Sequence, residues 1–89
     1  RDLSILAPLT ESAAEITALA REQAGPAARR VELIDRFEGA GVPAGQVSLT
    51  LSFVFQDETR TLSSEEVERS MDAVRASFSR AGYSVRGVA

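Results

Sequence analysis

The chain has 89 residues, 44% of them hydrophobic, which fits one small domain with a single core. It has neither cysteine nor histidine, which excludes disulfides, thiolate metal sites and histidine-dependent nucleophilic catalysis within this chain. Its net charge of −3 is unlike the basic balance that is usual for general nucleic-acid binders. No apolar run approaches the roughly 20 residues that a membrane span needs, so no membrane partner is expected.

The N-terminal segment predicts a strand followed by a helix. Residues 2–7 alternate with a period of two, which puts Ser4 and Leu6 on the face opposite the core-facing residues. Thr10 is the predicted N-cap of a helix that runs to about residue 24. A Gly-Pro pair directly after it ends this helix.

Residues 29–38 predict a second strand, but its alternation of polar and apolar residues is not consistent along its length. Leu33, Asp35 and Phe37 have the same parity, although the first is typical of a core and the second is not. A β-bulge between Leu33 and Asp35 resolves the conflict, because one extra residue reverses the faces of everything beyond it. The glycine-rich segment over residues 39–45 precedes a strand rather than a helix, so it is interpreted as a hairpin turn and not as a phosphate loop.

The clearest element is a strand over residues 47–57. Its large apolar residues alternate with small ones, most of which carry a hydroxyl group. One face therefore belongs to a core, and the other is paved with small side chains. Ser63 and Glu66 form the capping box of a second helix that ends at Gly82, and residues 83–86 predict a short last strand.

The element order β-α-β-β-α-β predicts an α+β fold. It is a ferredoxin-like split βαβ, with a four-stranded antiparallel sheet and both helices on one face. Right-handed crossovers put the first and third strands at the centre of the sheet. The other face of the sheet is left open, and the pattern alone does not indicate what it binds.

Several short motifs occur in a fixed order along the chain. They are Arg1-Asp2-Leu3-Ser4, Asp35-Arg36-Phe37-Glu38-Gly39, Ser48-Leu49, Phe55-Gln56-Asp57, Arg60-Thr61-Leu62-Ser63 and Glu65-Glu66-Val67. In order and spacing they closely resemble the ferredoxin-fold anticodon-binding domain at the C-terminus of the phenylalanyl-tRNA synthetase β subunit. The resemblance covers residues 1–87. We therefore expect residues 1–89 to be a single domain of this family, cut from a longer chain.

The resemblance implies a non-catalytic role in tRNA binding. In this family the parent enzyme is cytoplasmic, attaches phenylalanine to its tRNA with ATP and magnesium, and contains two α and two β subunits. Catalysis belongs to the α subunit, so this domain is expected to have no catalytic centre, cofactor or metal of its own. Its expected partners are the anticodon stem-loop of phenylalanine tRNA, gripped by the open sheet face, the rest of the β subunit, and the α subunit.

The resemblance also implies roles for individual residues. Phe37, where tyrosine is common, would stack on the wobble guanine, and Asp35 would accept hydrogen bonds from the Watson–Crick edge of that base. Ser48 would contact the same nucleotide, and Ser4 would lie beside the next base. Stacking and edge hydrogen bonds are the usual means by which splayed single-stranded bases are recognised.

Phosphate contacts would come from arginine, the only basic residue type in the chain. The candidates are Arg29, Arg30, Arg36 and Arg60.

Simpler structural roles compete with these assignments. Phe37 could be a core aromatic at the end of a strand, and Asp35 could cap the hairpin or pair with a nearby arginine. Asp57 and Arg60 are interpreted as fixing the turn before the second helix.

Two other functions are compatible with this element order. A small-molecule regulatory or protein-interaction domain would dimerise side by side and hold a ligand between the copies, but it leaves the Phe-Gln-Asp to Arg-Thr-Leu series unexplained. An acylphosphatase-like enzyme would need a catalytic asparagine. The chain contains no asparagine, which excludes that enzyme.

Overall fold

The computed structural model describes residues 1–88, with side chains through residue 86; residue 89, the last of the predicted domain, lies outside this range. The elements follow the predicted order β-α-β-β-α-β. They are β1 (Asp2–Pro8), α1 (Ala13–Ala24), β2 (Ala28–Phe37), β3 (Gln46–Phe55), α2 (Ser64–Arg80) and β4 (Ser84–Val88).

The four strands form one sheet in the order β2-β3-β1-β4, and every neighbouring pair is antiparallel. The first and third strands are therefore central, which confirms the prediction. β3 pairs with β1 on one side and with β2 on the other. Because directly opposed residues point to the same face of a sheet, the alternation along β3 determines which residues of both neighbours face the helices.

Both helices cover one face of this sheet. Met71, Val74 and Phe78 of α2 are fully buried, and Val67 packs beside them, so one apolar stripe of α2 faces the sheet. One continuous core results. It consists of Leu3, Ile5, Ala7, Ile16, Ala20, Ala24, Ala28, Val31, Val47, Leu49, Leu51, Phe53, Met71, Val74 and Phe78.

The predicted bulge in β2 is present. Leu33 lies opposite Leu51, and Asp35 lies opposite Thr50, so Ile34 is an extra residue between two consecutive positions of β3. Ile34 is 51% exposed, as expected for a residue that the ladder excludes. The conflict of parity within β2 is resolved in this way.

The predicted N-cap of α1, Thr10, is wrong. Ser12 is the N-cap, and its hydroxyl group accepts a hydrogen bond from the backbone N–H of Glu15 at 3.2 Å. The backbone N–H of Glu11 donates to the carbonyl oxygen of Pro8 at 3.0 Å. This tight turn includes Thr10, so the helix begins only after it.

The predicted capping box of α2 is confirmed. Ser63 and Glu66 bond each other's backbone N–H groups at 3.1 and 3.3 Å. The Arg60 guanidinium also donates two hydrogen bonds to the Glu66 carboxylate, at 2.7 and 2.5 Å. These bonds, with that from the Ser63 backbone, lower the pKa of Glu66 from 4.5 to about 2.

Substitution of Phe53 tests the alternation of β3. Phe53→Ala is expected to lower the free energy of unfolding by about 3–5 kcal/mol, because a fully buried ring leaves a cavity in the core. The adjacent Val54 is 42% exposed on the other face, and Val54→Ala should cost less than about 1 kcal/mol. Urea denaturation of both variants measures the difference. Equal losses would contradict the assignment of faces.

Acid titration tests the capping box of α2. Glu66 has a lowered pKa in the folded chain, so its stabilising effect is fully present above pH 4.5 and is lost as pH falls toward 2. Glu66→Gln removes the titrating group, so the variant should lose less stability over this pH window than the unaltered chain. Glu65→Gln makes the same change of charge one residue away and is the control. Denaturant unfolding at several pH values measures the difference, and parallel pH profiles for the chain and Glu66→Gln would refute the prediction.

Candidate functional site

The face of the sheet opposite the helices carries side chains in rows that run across the strands. We call one of them the Phe37 row; it contains Phe37, Ser48, Leu6 and Ser84 on four successive strands. We call the next one the Asp35 row; it contains Asp35, Thr50, Ser4 and Gly87. Four of the five predicted site residues, Phe37, Ser48, Asp35 and Ser4, therefore lie in two adjacent rows of this open face.

The bulge at Ile34 is the reason that Asp35 and Phe37 lie on this face. In a regular strand of the same sequence, Asp35 and Phe37 would follow Leu33 onto the core face. With Ile34 outside the ladder, Asp35 faces Thr50 and Phe37 faces Ser48. One extra residue thus presents a carboxylate and an aromatic ring to solvent side by side.

Phe37 is 46% exposed, so it is not a core aromatic. Gly39 passes close to its ring: a Cβ atom on that glycine would lie 3.8 Å from Cζ of Phe37. Gly39 has a φ of +120°, a conformation that side-chain-bearing residues rarely adopt. The hairpin backbone therefore passes near the ring on the loop side and still leaves much of the ring accessible.

Hydroxyl groups occupy the centre of the open face. The Oγ atom of Ser4 and the Oγ1 atom of Thr50 are 2.8 Å apart and share a hydrogen bond across β1 and β3. Ser48, one row away, is partly exposed between Phe37 and Leu6. The side chains of β3 between the ring and the first strand are thus small and polar.

Asp35 is exposed, and within residues 1–88 no arginine lies within ion-pair distance of its carboxylate. The simpler role of an arginine partner therefore has no support among the described residues. Arg36 lies opposite Leu49, at the register of the helix-covered face, and donates to Glu38 at 2.6 Å. It does not share a face with the other four predicted site residues, and its contact with phosphate stays a prediction.

The other candidate arginines also have acidic neighbours. Arg29 bonds Glu58 at 2.6 Å, whereas Arg30 is 4.0 Å from Glu32 in a looser pair. Both pairs are well exposed, so each contributes little to stability. Any phosphate contact by these side chains has to exchange a carboxylate for a phosphate.

Asp57 and Arg60 fix the connection between β3 and α2, as interpreted from sequence. The Asp57 carboxylate accepts hydrogen bonds from the backbone N–H and the hydroxyl group of Thr59, at 2.9 and 2.8 Å, and these lower the pKa of Asp57. Arg60 is engaged with Glu66. Neither residue lies in a row of the open face.

Residues 1–88 hold no group of three or more His, Cys, Asp or Glu side chains placed to bind a metal ion. In the same part of the chain, no helix has the length and apolar character needed to cross a membrane.

The pairing of Ser4 with Thr50 was not predicted. Both residues have the open-face parity in sequence, but they are 46 positions apart. Their contact depends on the register between β1 and β3, for which neither strand carries a local signal. The register itself follows only from the assembled core.

Comparisons with known proteins confirm the family resemblance. The model of the ferredoxin-fold anticodon binding domain matches residues 1–86. The phenylalanine–tRNA ligase beta subunit of Synechococcus sp. (strain JA-3-3Ab) is 41% identical over 80 residues, 90% of this chain and 10% of that protein. The same subunit of Moorella thermoacetica is 40% identical over 87 residues, 97% of this chain and 11% of that protein. That of Porphyromonas gingivalis is 38% identical over 78 residues, 88% of this chain and 10% of that protein. The chain thus spans about a tenth of the length of these relatives.

Deletion of Ile34 tests how the bulge sets the faces. Without this residue, Asp35 follows Leu33 directly in a regular ladder, so Phe37 should stay opposite Ser48 and the chain should stay folded. The measurement is the set of backbone nuclear Overhauser effects between β2 and β3, together with a urea denaturation curve.

Deletion of Ser52, a regular position of the central strand β3, is the control. It shifts one side of β3 by a residue and turns an apolar side chain such as Phe53 out of the core. That should cost about 1.5–3 kcal/mol for each such side chain. Similar losses from the two deletions would show that Ile34 is not an extra residue.

Proposed function

The chain belongs to the ferredoxin-fold anticodon-binding domain family, and on this premise we propose that its open face binds the anticodon stem-loop of phenylalanine tRNA. The Phe37 and Asp35 rows form the binding surface. The domain itself performs no chemistry; it supplies recognition of the tRNA. The observation that carries the proposal is the pair of an exposed ring, Phe37, and an adjacent carboxylate without an arginine partner, Asp35.

The parent protein proposed for this domain is the β subunit of a cytoplasmic phenylalanine–tRNA ligase. That enzyme would use ATP and magnesium, and it would contain two α and two β subunits with catalysis in the α subunit. The names of the relatives support the β subunit as the source, because all three are phenylalanine–tRNA ligase beta subunits. The domain's other partners would then be the rest of the β subunit and the α subunit.

Phe37 and Asp35 have complementary roles in this proposal. An exposed aromatic ring stacks on an unstacked base, which contributes about 1–3 kcal/mol. Guanine presents two neighbouring N–H donors on its Watson–Crick edge, and an ionised carboxylate is an acceptor only, with two oxygens. Asp35 therefore selects guanine at the wobble position over bases that present acceptors there.

The hydroxyl groups complete the surface. Ser48 lies directly beside Phe37 and would contact the same nucleotide as the ring. Ser4 lies in the Asp35 row, and its hydrogen bond to Thr50 fixes its position for contact with the next base. A hydroxyl group both donates and accepts, so these contacts add affinity without strict selection of a base.

The charges of the open face favour base contacts over phosphate contacts. Asp2, Glu32 and Asp35 lie on this face, and Arg30 shares its register. Arg86 is the extra residue of the irregular pairing between β4 and β1, next to Gly87 of the Asp35 row. Arg36, on the other face of β2, and Arg29 reach phosphates only at the edge of the surface. Each phosphate contact on a single strand makes the affinity fall with salt, with a slope of about 0.7 in log–log form. A surface with few such contacts binds with a shallow salt dependence.

Titration of an anticodon stem-loop of phenylalanine tRNA into the isotope-labelled chain tests the proposal. Amide shifts should centre on the two rows, and Phe37→Ala should weaken binding by about 1–3 kcal/mol because stacking is lost. Val54→Ala, an exposed apolar residue at the far end of the same face, should leave binding unchanged. Shifts that scatter over the arginines and vanish at moderate salt would mean unspecific charge attraction and would contradict the proposal.

A double-mutant cycle tests the contact between Asp35 and guanine. Inosine in place of the wobble guanine lacks the exocyclic amino group, so it should bind the unaltered chain more weakly. In Asp35→Asn the amide cannot accept from both donors, so the penalty for inosine should shrink. An equal penalty in both proteins would remove Asp35 from the contact.

A further inference from the structure

In the Phe37 row, two large side chains flank a small one across β3, and we call this arrangement the trough. Phe37 on β2 and Leu6 on β1 are the two large side chains of the row, and Ser48 lies between them as a small, polar floor. One row toward the hairpin, Pro8 of β1 lies opposite Gln46 of β3 and continues the apolar wall on the β1 side. An apolar wall therefore stands on each side of a floor that offers hydrogen-bonding groups.

Leu6 has no structural role in the core. Its side chain is partly exposed, and it is absent from both the buried core and the apolar side chains that pack against it. By contrast, its neighbours in the chain, Ile5 and Ala7, are completely buried. Leu6 lies on a central strand, on the face exposed to solvent. It is a large aliphatic side chain between two polar ones, Ser48 and Ser84.

The width of the trough fits one aromatic base that stands on edge. Neighbouring strands are about 4.8 Å apart, so the backbones that carry Phe37 and Leu6 are about 9.6 Å apart across β3. A flat base between two apolar groups needs two carbon contacts of about 3.5–4.0 Å each, or about 7–8 Å in all. The backbones are thus slightly farther apart than the base requires. The Phe37 and Leu6 side chains can lean toward each other in ordinary rotamers and so close this gap.

We propose that Leu6 is the second wall of the base site, so that an unpaired RNA base inserts between Phe37 and Leu6 with its edge toward Ser48. This inference rests on the proposed function and adds to it a residue that determines affinity. Stacking on Phe37 covers one face of the base, and the Leu6 methyl groups cover the other. The sandwich keeps water from both faces, which a single stacking contact on an open sheet does not achieve.

The geometry also determines how the base is oriented. With its faces held by the two walls, only an edge reaches the sheet, where Ser48 and, one row away, Asp35 are the hydrogen-bonding groups. The sugar and phosphate then point away from the sheet, which suits a face whose charged side chains are mostly acidic. An aromatic base is consequently favoured over a phosphate group at this position.

The direct test is a set of isotope-filtered nuclear Overhauser effects on the chain bound to the anticodon stem-loop. Protons of one base, the wobble guanine, should show contacts both to the Phe37 ring and to the Leu6 methyl groups. This measurement needs no variant, so it does not depend on how substitutions affect folding. Contacts to the Phe37 ring alone would overturn the inference.

Binding affinities of variants provide the second test. Leu6→Ala should weaken binding about fivefold, the effect of about 1 kcal/mol, because one face of the base loses its cover. Leu6→Ile keeps an aliphatic wall of the same volume and should retain the affinity. Val54→Ala is the matched control on the same face. Urea denaturation should show Leu6→Ala to be nearly as stable as the unaltered chain, because Leu6 lies outside the core.

The outcomes separate this inference from the proposed function. If Phe37→Ala loses binding while Leu6→Ala binds as the unaltered chain does, the open face binds RNA without a second wall, and the inference fails alone. If the unaltered chain does not bind the stem-loop even at low salt, the proposed function fails and the role of Leu6 fails with it. A fivefold loss of affinity in Leu6→Ala, together with unchanged affinity in Leu6→Ile, supports both the proposed function and the role of Leu6.

Discussion

The structure depends on one constraint, the strict alternation of side chains along β3. Val47, Leu49, Leu51 and Phe53 are at most 4% exposed, while the residues between them are small or partly exposed. Because β3 has a neighbour on each side, the same alternation is imposed on β1 and on β2. The helices then have a single apolar surface to cover, and the other surface is left with hydroxyl groups and a few larger side chains.

β2 satisfies this constraint by excluding two residues from its ladder with β3, Arg29 and Ile34. Before Ile34, Leu33 packs against the core, and beyond Ile34, Asp35 and Phe37 lie on the open face. An edge strand tolerates such an irregularity better than a central one, since its outer side has no ladder to maintain. The position of β2 at the edge of the sheet therefore allows the bulge to form.

The sequence predicted those features whose physical cause is local. Alternation along β3 and the conflict of parity between Leu33 and Asp35 are visible in a few neighbouring residues, and they predicted the central strand and the bulge that the structure contains. The site residues were chosen by family resemblance instead. The features that the sequence did not predict depend on distant partners. Thr10 was chosen over Ser12 as N-cap because the turn at Pro8 is a matter of backbone geometry. The acidic partners of the arginines were not predicted either, since a pair such as Arg29 and Glu58 forms only when the ends of two strands meet.

The pairing of the arginines with carboxylates has a consequence for the rate of encounter with other molecules. A guanidinium group and a carboxylate at 2.6 Å present a dipole to their surroundings, and the field of a dipole decays faster with distance than that of a free charge. Long-range attraction raises association rates of polyanions by orders of magnitude, and this surface largely lacks it. Polyanions therefore meet this domain without long-range attraction from these arginines, and selection among them occurs in how long each one stays bound.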